Sequence, residues 1–166
     1  MNSIFGSLFI VSTPLGNLKD ITLRALNIMK NSYLIAAEDT RKSKILLKKY
    51  DINTKMISYH EHNSHNRIKT IISYLKDGKN ISLISDAGTP GISDPSYRLI
   101  RSAIENEITV NSIPGPSAFL TALTSSGLPT DNFFFAGFLP PKKGRKSKLE
   151  ELSKLNATVI LYENPK

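Results

Sequence analysis

Residues 81–95 read Ile-Ser-Leu-Ile-Ser-Asp-Ala-Gly-Thr-Pro-Gly-Ile-Ser-Asp-Pro, an apolar run followed by a loop of small and turn-forming residues. The run over 81–85 has the length and composition of a buried parallel strand. After the loop, residues 96–106 carry apolar side chains at three- and four-residue spacing, which predicts a helix. A strand, a constrained loop and a helix in succession are the repeating unit of an α/β fold.

The same succession occurs on both sides of this stretch. Further short apolar runs predict strands at residues 8–12, 34–37, 55–58 and 109–113. Amphipathic segments between them predict helices at residues 21–31, 41–50 and 66–77. Because strands alternate with helices, we expect an α/β fold with a mostly parallel sheet flanked by helices and right-handed crossovers.

Turn residues at 127–131, Gly-Leu-Pro-Thr-Asp, predict a domain boundary. We expect residues 1–127 to form an N-terminal α/β domain and residues 128–166 to begin a second one. The second part holds a predicted strand, helix and strand at residues 133–139, 147–155 and 158–162. Three elements cannot bury both faces of a sheet, so we expect this second domain to be incomplete.

The composition favours some classes of protein over others. Twenty-two Lys and Arg against 14 Asp and Glu give a net charge of +8, which suits a polyanionic partner or reflects a solvated, lysine-rich surface. The absence of cysteine excludes disulfides and a Cys nucleophile. No apolar run approaches a membrane span, and the N-terminus lacks a signal peptide's basic region, so we expect a cytoplasmic protein without a membrane partner.

In open α/β sheets, ligands bind beyond the carboxyl ends of the strands, so the loops after the strands are the places to search for a site. The first such loop, residues 12–18, combines Pro14 and Gly16 in a tight turn that presents backbone amides and Thr13. It lacks the glycine spacing of dinucleotide folds and the Gly-Lys of a phosphate loop, which disfavours NAD and ATP.

The second strand ends in two adjacent acids. Glu38 and Asp39 precede Thr40 and Arg41 at the predicted start of a helix. Asp39 or Thr40 could serve as the N-cap of that helix. An alternative is that the acids and the guanidinium engage a substrate hydroxyl and a phosphate together, which makes Glu38, Asp39 and Arg41 the candidate catalytic residues.

Two more loops follow strands. The loop over residues 85–95 is constrained by two glycines and two prolines and lets a ligand approach the backbone, so we interpret it as a cofactor site. An N-cap at Asp94 or Ser96 explains only its last residues. The Pro-Gly-Pro bend at 114–116 precedes Ser117, a normal N-cap, and is ambiguous by itself.

Three histidines lie close together in the sequence. His60, His62 and His65 surround Glu61 without a further ligand at helical spacing. We therefore interpret them as loop residues and expect no metal, although His60 or His62 could contact a substrate.

Five segments together resemble one known family in order and spacing. They resemble the RsmI family of 16S rRNA cytidine 2′-O-methyltransferases, within the tetrapyrrole methylase superfamily. The segments are residues 11–18, 36–41, 85–90, 114–116 and 137–140.

The resemblance implies a two-domain enzyme that binds S-adenosylmethionine between its domains, often as a homodimer, and modifies a cytidine ribose in the 16S rRNA of the small ribosomal subunit. It implies cofactor contacts at Pro14, Asp86, Ala87, Gly88, Ile92, Asp94, Ser117 and Ala118. The basic stretch suits an RNA backbone, through Lys142, Lys143, Arg145, Lys146 and Lys148. Members of the family continue beyond residues 162–165, so the chain resembles a C-terminally truncated member.

Two competing hypotheses remain open. One is a non-catalytic RNA-binding remnant of such an enzyme. The other is a methyltransferase of the same fold that acts on a tetrapyrrole, which the segments at 36–41 and 85–90 and the basic stretch disfavour.

Overall fold

A computed structural model describes residues 5–164 of the chain. The residues divide into two compact units, one ending at Pro116 and the other beginning at Ser117. The strands of the first unit are β1 (Leu8–Val11), β2 (Leu34–Ala37), β3 (Met56–Ser58), β4 (Ile81–Ile84) and β5 (Val110–Ile113). Its helices are α1 (Leu23–Asn31), α2 (Thr40–Lys49), α3 (Ser64–Lys76) and α4 (Ser96–Glu105), with a short 3-10 helix at Leu18–Asp20.

The first unit is built on one five-stranded sheet with the strand order β3-β2-β4-β1-β5. All four pairings between neighbouring strands are parallel. The predicted α/β class, a mostly parallel sheet flanked by helices, is therefore confirmed. The predicted elements of this unit also form, with bounds that differ by one or two residues.

Both faces of the sheet are buried by helices. Along β2, Leu34 and Ala36 face a cluster that includes residues of α3 and α4. Their neighbours Ile35 and Ala37 face a cluster that includes residues of α1 and α2. Since successive side chains of a strand point to opposite faces, a continuous apolar run is what a sheet covered on both sides requires.

The central strand carries one polar residue into this core. Ser82 of β4 is fully buried, and its hydroxyl lies 2.7 Å from that of Ser32, at the end of α1. Ser32 also donates to the carbonyl of Ile28 at 2.8 Å. The buried hydroxyl of Ser82 is thus hydrogen-bonded, as buried polar groups must be to avoid a desolvation cost.

The second unit contains α5 (Ala118–Ser125), β6 (Phe133–Phe138), α6 (Arg145–Leu152) and β7 (Thr158–Tyr162). Strands β6 and β7 pair in parallel, with an irregularity between Phe135 and Phe138. Phe119 of α5 stacks on Phe135 of β6 with ring centroids 4.9 Å apart. Helix α5 thus groups with the strands that follow it, and the division between the units falls at residues 116–117 of the chain, whereas the turn residues predicted a boundary at 127–128.

Among residues 5–164, no helix combines the length and the apolar character needed to cross a bilayer.

The burial of β4 predicts a strong dependence of stability on its side chains. Leu83 is fully buried, so Leu83→Ala should lower the free energy of unfolding by about 2–5 kcal/mol through lost transfer energy and a residual cavity. The matched control Leu23→Ala removes a side chain that is 85% exposed and should change it by less than about 0.5 kcal/mol. Urea unfolding followed by circular dichroism measures both; equal losses would contradict the assigned core.

Candidate active site

The parallel sheet brings the polar ends of β2 and β4 together. These strands are neighbours, and their carboxyl ends are followed by Glu38–Asp39 and by Ser85–Asp86. The backbone amide of Asp39 donates to the Asp86 carboxylate at 3.0 Å. The backbone amide of Asp86 donates to the Glu38 carboxylate at 3.4 Å. Residues far apart in sequence are thereby joined in one acidic cluster.

Glu38 is the acid of this cluster whose proton affinity is increased. Partial burial raises the pKa of Glu38, while the hydrogen bond from the Asp86 amide opposes that rise. The negative charges of Asp86 and Asp94 raise the pKa of Glu38 further. A raised pKa makes the Glu38 carboxylate a better proton acceptor than an ordinary glutamate.

Asp39 has a different role from its neighbour. It is the N-cap of α2, and its carboxylate accepts the backbone N–H of Arg41 at 2.9 Å. The same carboxylate accepts the Arg41 guanidinium through Nε at 3.1 Å and through a terminal nitrogen at 2.9 Å. These contacts with Arg41 lower the pKa of Asp39 to about 2. The capping interpretation is confirmed for Asp39, which is thus a weak proton acceptor.

Lys42 was not among the residues singled out in the sequence, but it forms an ion pair with Asp86. Its Nζ lies 2.6 Å from the Asp86 carboxylate. Hydrogen bonding to Asp86 raises the pKa of Lys42 and so favours its charged form. Asp86 therefore connects α2 to the loop after β4, a contact between residues 44 positions apart. Sequence spacing alone gives no signal for it.

The loops after β1 and β4 are joined through their backbones. Thr13 and Gly88 exchange two N–H···O hydrogen bonds, at 2.8 and 2.9 Å. Gly88 has φ of +78°, and a Cβ added there would lie 3.2 Å from a methyl group of Leu15. Glycine is required here because of both the left-handed backbone and the close approach.

The loop after β5 is tied to the same two loops. The Thr89 hydroxyl lies 2.9 Å from that of Ser12 and donates to the Pro116 carbonyl at 3.1 Å. A Cβ added to Gly115 would lie 2.8 Å from the Cβ of Ser12, so the Pro-Gly-Pro bend packs directly against the end of β1. Three of the loops predicted to carry chemistry therefore lie at one edge of the sheet and support one another.

A cavity of about 200 Å³ opens beside these loops. Three predicted cofactor contacts, Pro14, Asp86 and Ala87, line it together with Lys42 and Ser43. The Ser43 hydroxyl is buried and, within residues 5–164, has no hydrogen-bond partner. An unpaired buried hydroxyl beside a carboxylate and an ammonium group fits a polar ligand such as S-adenosylmethionine. Typical ligand pockets measure about 300–1,000 Å³, so this cavity alone holds only part of such a molecule.

The other predicted cofactor residues are placed differently. Asp94 accepts the backbone amides of Gly91 at 2.8 Å and Ser96 at 2.7 Å, which shapes its loop and the start of α4, where Pro95 is the N-cap. Ile92 is 39% exposed in the same loop. Ser117 and Ala118 begin the second unit; Ser117 is the N-cap of α5, but its side chain makes no capping hydrogen bond.

The predicted RNA-binding residues lie at and just before α6. Their cations are partly paired: Arg145 lies 2.7 Å from the Glu163 carboxylate, Lys146 lies 3.8 Å from Glu150 and Lys148 lies 2.8 Å from Glu151. Lys142 and Lys143 are exposed and form no ion pair within the part of the chain described. Neighbouring carboxylates therefore offset the charge of three of these five cations locally.

The three histidines do not form a metal site in the described residues. No group of three His, Cys, Asp or Glu side chains among residues 5–164 is arranged to hold a metal ion. His60 contacts the side-chain nitrogen of Asn63 at 3.1 Å.

An acidic cluster, a lysine and three glycine-containing loops lie at the carboxyl edge of a parallel sheet, the edge where α/β proteins bind their ligands, and form the candidate site of this α/β protein. A profile of the tetrapyrrole (corrin/porphyrin) methylases matches residues 7–166. The chain belongs to this family, and the superfamily predicted from its motifs is confirmed.

Curated relatives place it more narrowly. It is similar to the protein named ribosomal RNA small subunit methyltransferase I in Halalkalibacterium halodurans, with 53% identity over 96% of this chain and 56% of the relative. The protein of that name in Escherichia coli O157:H7 is 48% identical over 96% of this chain and 56% of the relative. The one in Thermotoga maritima is 47% identical over 96% and 72%. The chain thus spans little more than half the length of most of these relatives.

Solved structures support the fold. Uroporphyrin-III C-methyltransferase from Thermus thermophilus superposes with a TM-score of 0.60 at 14% identity, over 80% of this chain and 60% of that one. A conserved hypothetical protein from Aeropyrum pernix K1 gives a TM-score of 0.67 at 18% identity, over 82% and 48%. At these identities the likeness concerns the fold alone.

The contact between Asp39 and Arg41 predicts how this acid titrates. In the intact chain the Asp39 carboxyl should have a pKa of about 2, and Arg41→Gln should return it toward the ordinary value of 3.8 because the guanidinium is removed. Carboxyl ¹³C shifts followed against pH by NMR measure this. The control Arg101→Gln breaks an ion pair on α4 and should leave Asp39 unchanged. An Asp39 pKa that is insensitive to Arg41→Gln would contradict the arrangement.

Proposed function

We propose that this chain is the N-terminal part of an S-adenosylmethionine-dependent enzyme that methylates the 2′-hydroxyl of a cytidine in the 16S rRNA of the small ribosomal subunit. The observation that carries the proposal is the cluster of Glu38, Asp86 and Lys42 beside a cavity at the carboxyl edge of the sheet. The names of the curated relatives support ribosomal RNA of the small subunit as the substrate.

The loops at this edge supply the proposed cofactor contacts. Bound S-adenosylmethionine supplies an electrophilic methyl group on a positively charged sulfur. Asp86 lines the cavity, and its carboxylate is held by Lys42 and by the Asp39 amide. Pro14 and Ala87 line the cavity and provide apolar walls, and Gly88 is a further proposed contact from the same loop as Ala87. We further assign cofactor contacts to Ile92, Asp94, Ser117 and Ala118.

Glu38 is the proposed general base. Methyl transfer from a bound sulfonium would form an O–C bond to the ribose oxygen, break the S–C bond to leave a neutral thioether, and release the hydroxyl proton, which a nearby group must accept. Of the two adjacent acids, Glu38 has a raised pKa, whereas the contacts with Arg41 lower the pKa of Asp39 and make it a poor proton acceptor. We assign to Asp39 the positioning of α2 and of Arg41, and to Arg41 a phosphate contact through its exposed guanidinium donors. We propose that four basic residues of the second unit contact RNA phosphates: the exposed Lys142 and Lys143, and Arg145 and Lys146.

A second candidate function is an RNA-binding protein without methyltransferase activity. The size of the cavity favours this second candidate, because a volume of about 200 Å³ is smaller than the usual pocket for a ligand such as S-adenosylmethionine. Cofactor affinity separates the two candidates, because only the enzyme requires a cofactor site.

Calorimetric titration of the 166-residue chain with S-adenosylmethionine tests the proposal. We expect binding in the micromolar range, weakened at least about tenfold by Asp86→Asn, which removes a carboxylate from the cavity wall and is equivalent to about 1.4 kcal/mol. The control Asp77→Asn changes an exposed acid at the end of α3 and should bind as the wild type does. A folded chain that binds no cofactor would favour the RNA-binding alternative.

The role of Glu38 predicts a separate effect on rate. Glu38→Gln should reduce methyl incorporation into unmodified small ribosomal subunits by about 10²–10⁴-fold, because the amide cannot accept the proton. The rate of the wild type should fall as the pH falls through the raised pKa of Glu38, since only the deprotonated acid acts as a base, and this inflection should be absent in the variant.

Two controls accompany that measurement. The affinity for S-adenosylmethionine should be unchanged in Glu38→Gln, and Glu105→Gln, an exposed acid on α4, should retain the full rate. Equal rates for Glu38→Gln and the wild type would refute the assignment of the base.

A further inference from the structure

We propose that the groove along the outer side of α2 binds a single-stranded segment of the substrate RNA through its phosphates; this rests on the proposed function. We call it the α2 groove, and it has a volume of about 590 Å³. Its lining residues are Thr40, Arg41, Lys44, Leu47, Lys48, Ile52, Asn53, Thr54 and Met56.

The charge of the α2 groove has one sign. Arg41, Lys44 and Lys48 are its charged residues, and no acid lines it. Positions three and four apart lie on the same face of a helix, so these cations form one row along α2. At 1.5 Å per residue, the row extends over roughly 10 Å, which is long enough for more than one phosphate contact.

The lysines of this row are not engaged with carboxylates. Within residues 5–164, neither Lys44 nor Lys48 forms an ion pair, and both side chains are exposed. In the predicted basic stretch, by contrast, Arg145, Lys146 and Lys148 are paired with acids. Cations without internal partners are the ones that can release counterions when phosphates bind.

The floor of the groove favours RNA over an acidic protein. Of its apolar lining residues, Met56 is partly exposed whereas Leu47 and Ile52 are buried, so a small apolar surface lies beside the cationic row and suits the sugars of an unpaired strand. Asn53 adds an amide at the margin. No aromatic side chain lines the groove, so it offers no stacking platform, and we expect binding that tolerates different sequences.

The position of the groove connects it with the proposed active site. It begins at Thr40 and Arg41, the residues that follow Glu38 and Asp39. A strand whose target ribose lies near Glu38 therefore passes the start of α2 and can continue along its row of cations. In this arrangement phosphate contacts position the RNA, while recognition of the target nucleotide takes place elsewhere.

Fluorescence anisotropy with a labelled, mixed-sequence single-stranded RNA of about 20 nucleotides tests the inference on the 166-residue chain. The double variant Lys44→Glu/Lys48→Glu should bind at least about tenfold more weakly than the wild type, a loss of about 1.4 kcal/mol. The slope of log affinity against log salt should become shallower by about 1.4, because two phosphate contacts are lost at about 0.7 each.

The matched control is Lys69→Glu/Lys76→Glu on α3, which makes the same change of net charge at exposed positions away from the groove. It should keep affinity within about twofold, and its salt slope should stay close to that of the wild type. Equal losses in the two double variants, or no RNA binding by the wild type, would overturn the inference. Labelled polyglutamate, titrated in the same way, represents an acidic protein. If Lys44→Glu/Lys48→Glu binds RNA as the wild type does but loses polyglutamate binding, the groove binds an acidic protein and the inference is overturned.

Calorimetry with S-adenosylmethionine on the same variants separates this inference from the proposed function. If the chain binds the cofactor normally and Lys44→Glu/Lys48→Glu does not change its RNA affinity, the inference about the groove is overturned and the enzyme proposal stands. If the chain binds no cofactor and RNA affinity is lost only in that variant, the result supports the inference about the groove, while the enzyme proposal fails.

Discussion

The structure of the first unit depends on the complete burial of β4 between β2 and β1. All four residues of this strand are buried, and the strand pairs in parallel on both sides. Parallel pairing requires the chain to return to the same edge before each strand, so the loops after β1, β2 and β4 meet at the opposite edge. The acidic cluster and the cavity exist because these loops converge there.

Much of this arrangement could be predicted from the sequence, because it depends on local patterns. Apolar runs such as Ile81–Ile84 predicted strands, and the glycine and proline residues of the loops predicted where a ligand could approach. Contacts between residues distant in the sequence could not be predicted, because no sequence pattern relates Lys42 to Asp86. The separate roles of Glu38 and Asp39 also required the structure, since they arise from the partners that each acid meets. The grouping of α5 with β6 depends on Phe119, whose partners lie beyond the turn that suggested a boundary.

Helix α2 makes a different kind of contact on each of three sides. Leu46 and Leu47 bury it against the sheet, which fixes its orientation. Its first turn supplies Lys42 to Asp86 and is capped by Asp39, so the acidic cluster and the helix start hold each other in place. The remaining side carries the row of cations from Arg41 to Lys48. Because Leu46 and Leu47 pack in the core, the cations of this basic helix remain on its exposed side.

The paired hydrogen bonds between Thr13 and Gly88 bear on how the site moves. Because the two loops share reciprocal backbone bonds, the displacement of either loop breaks both bonds, which resists the separate opening of the loops. The Thr89 hydroxyl, which contacts the Ser12 hydroxyl and the Pro116 carbonyl, extends the same restraint to the bend after β5. The opening of any one of these three loops therefore breaks hydrogen bonds that it shares with another.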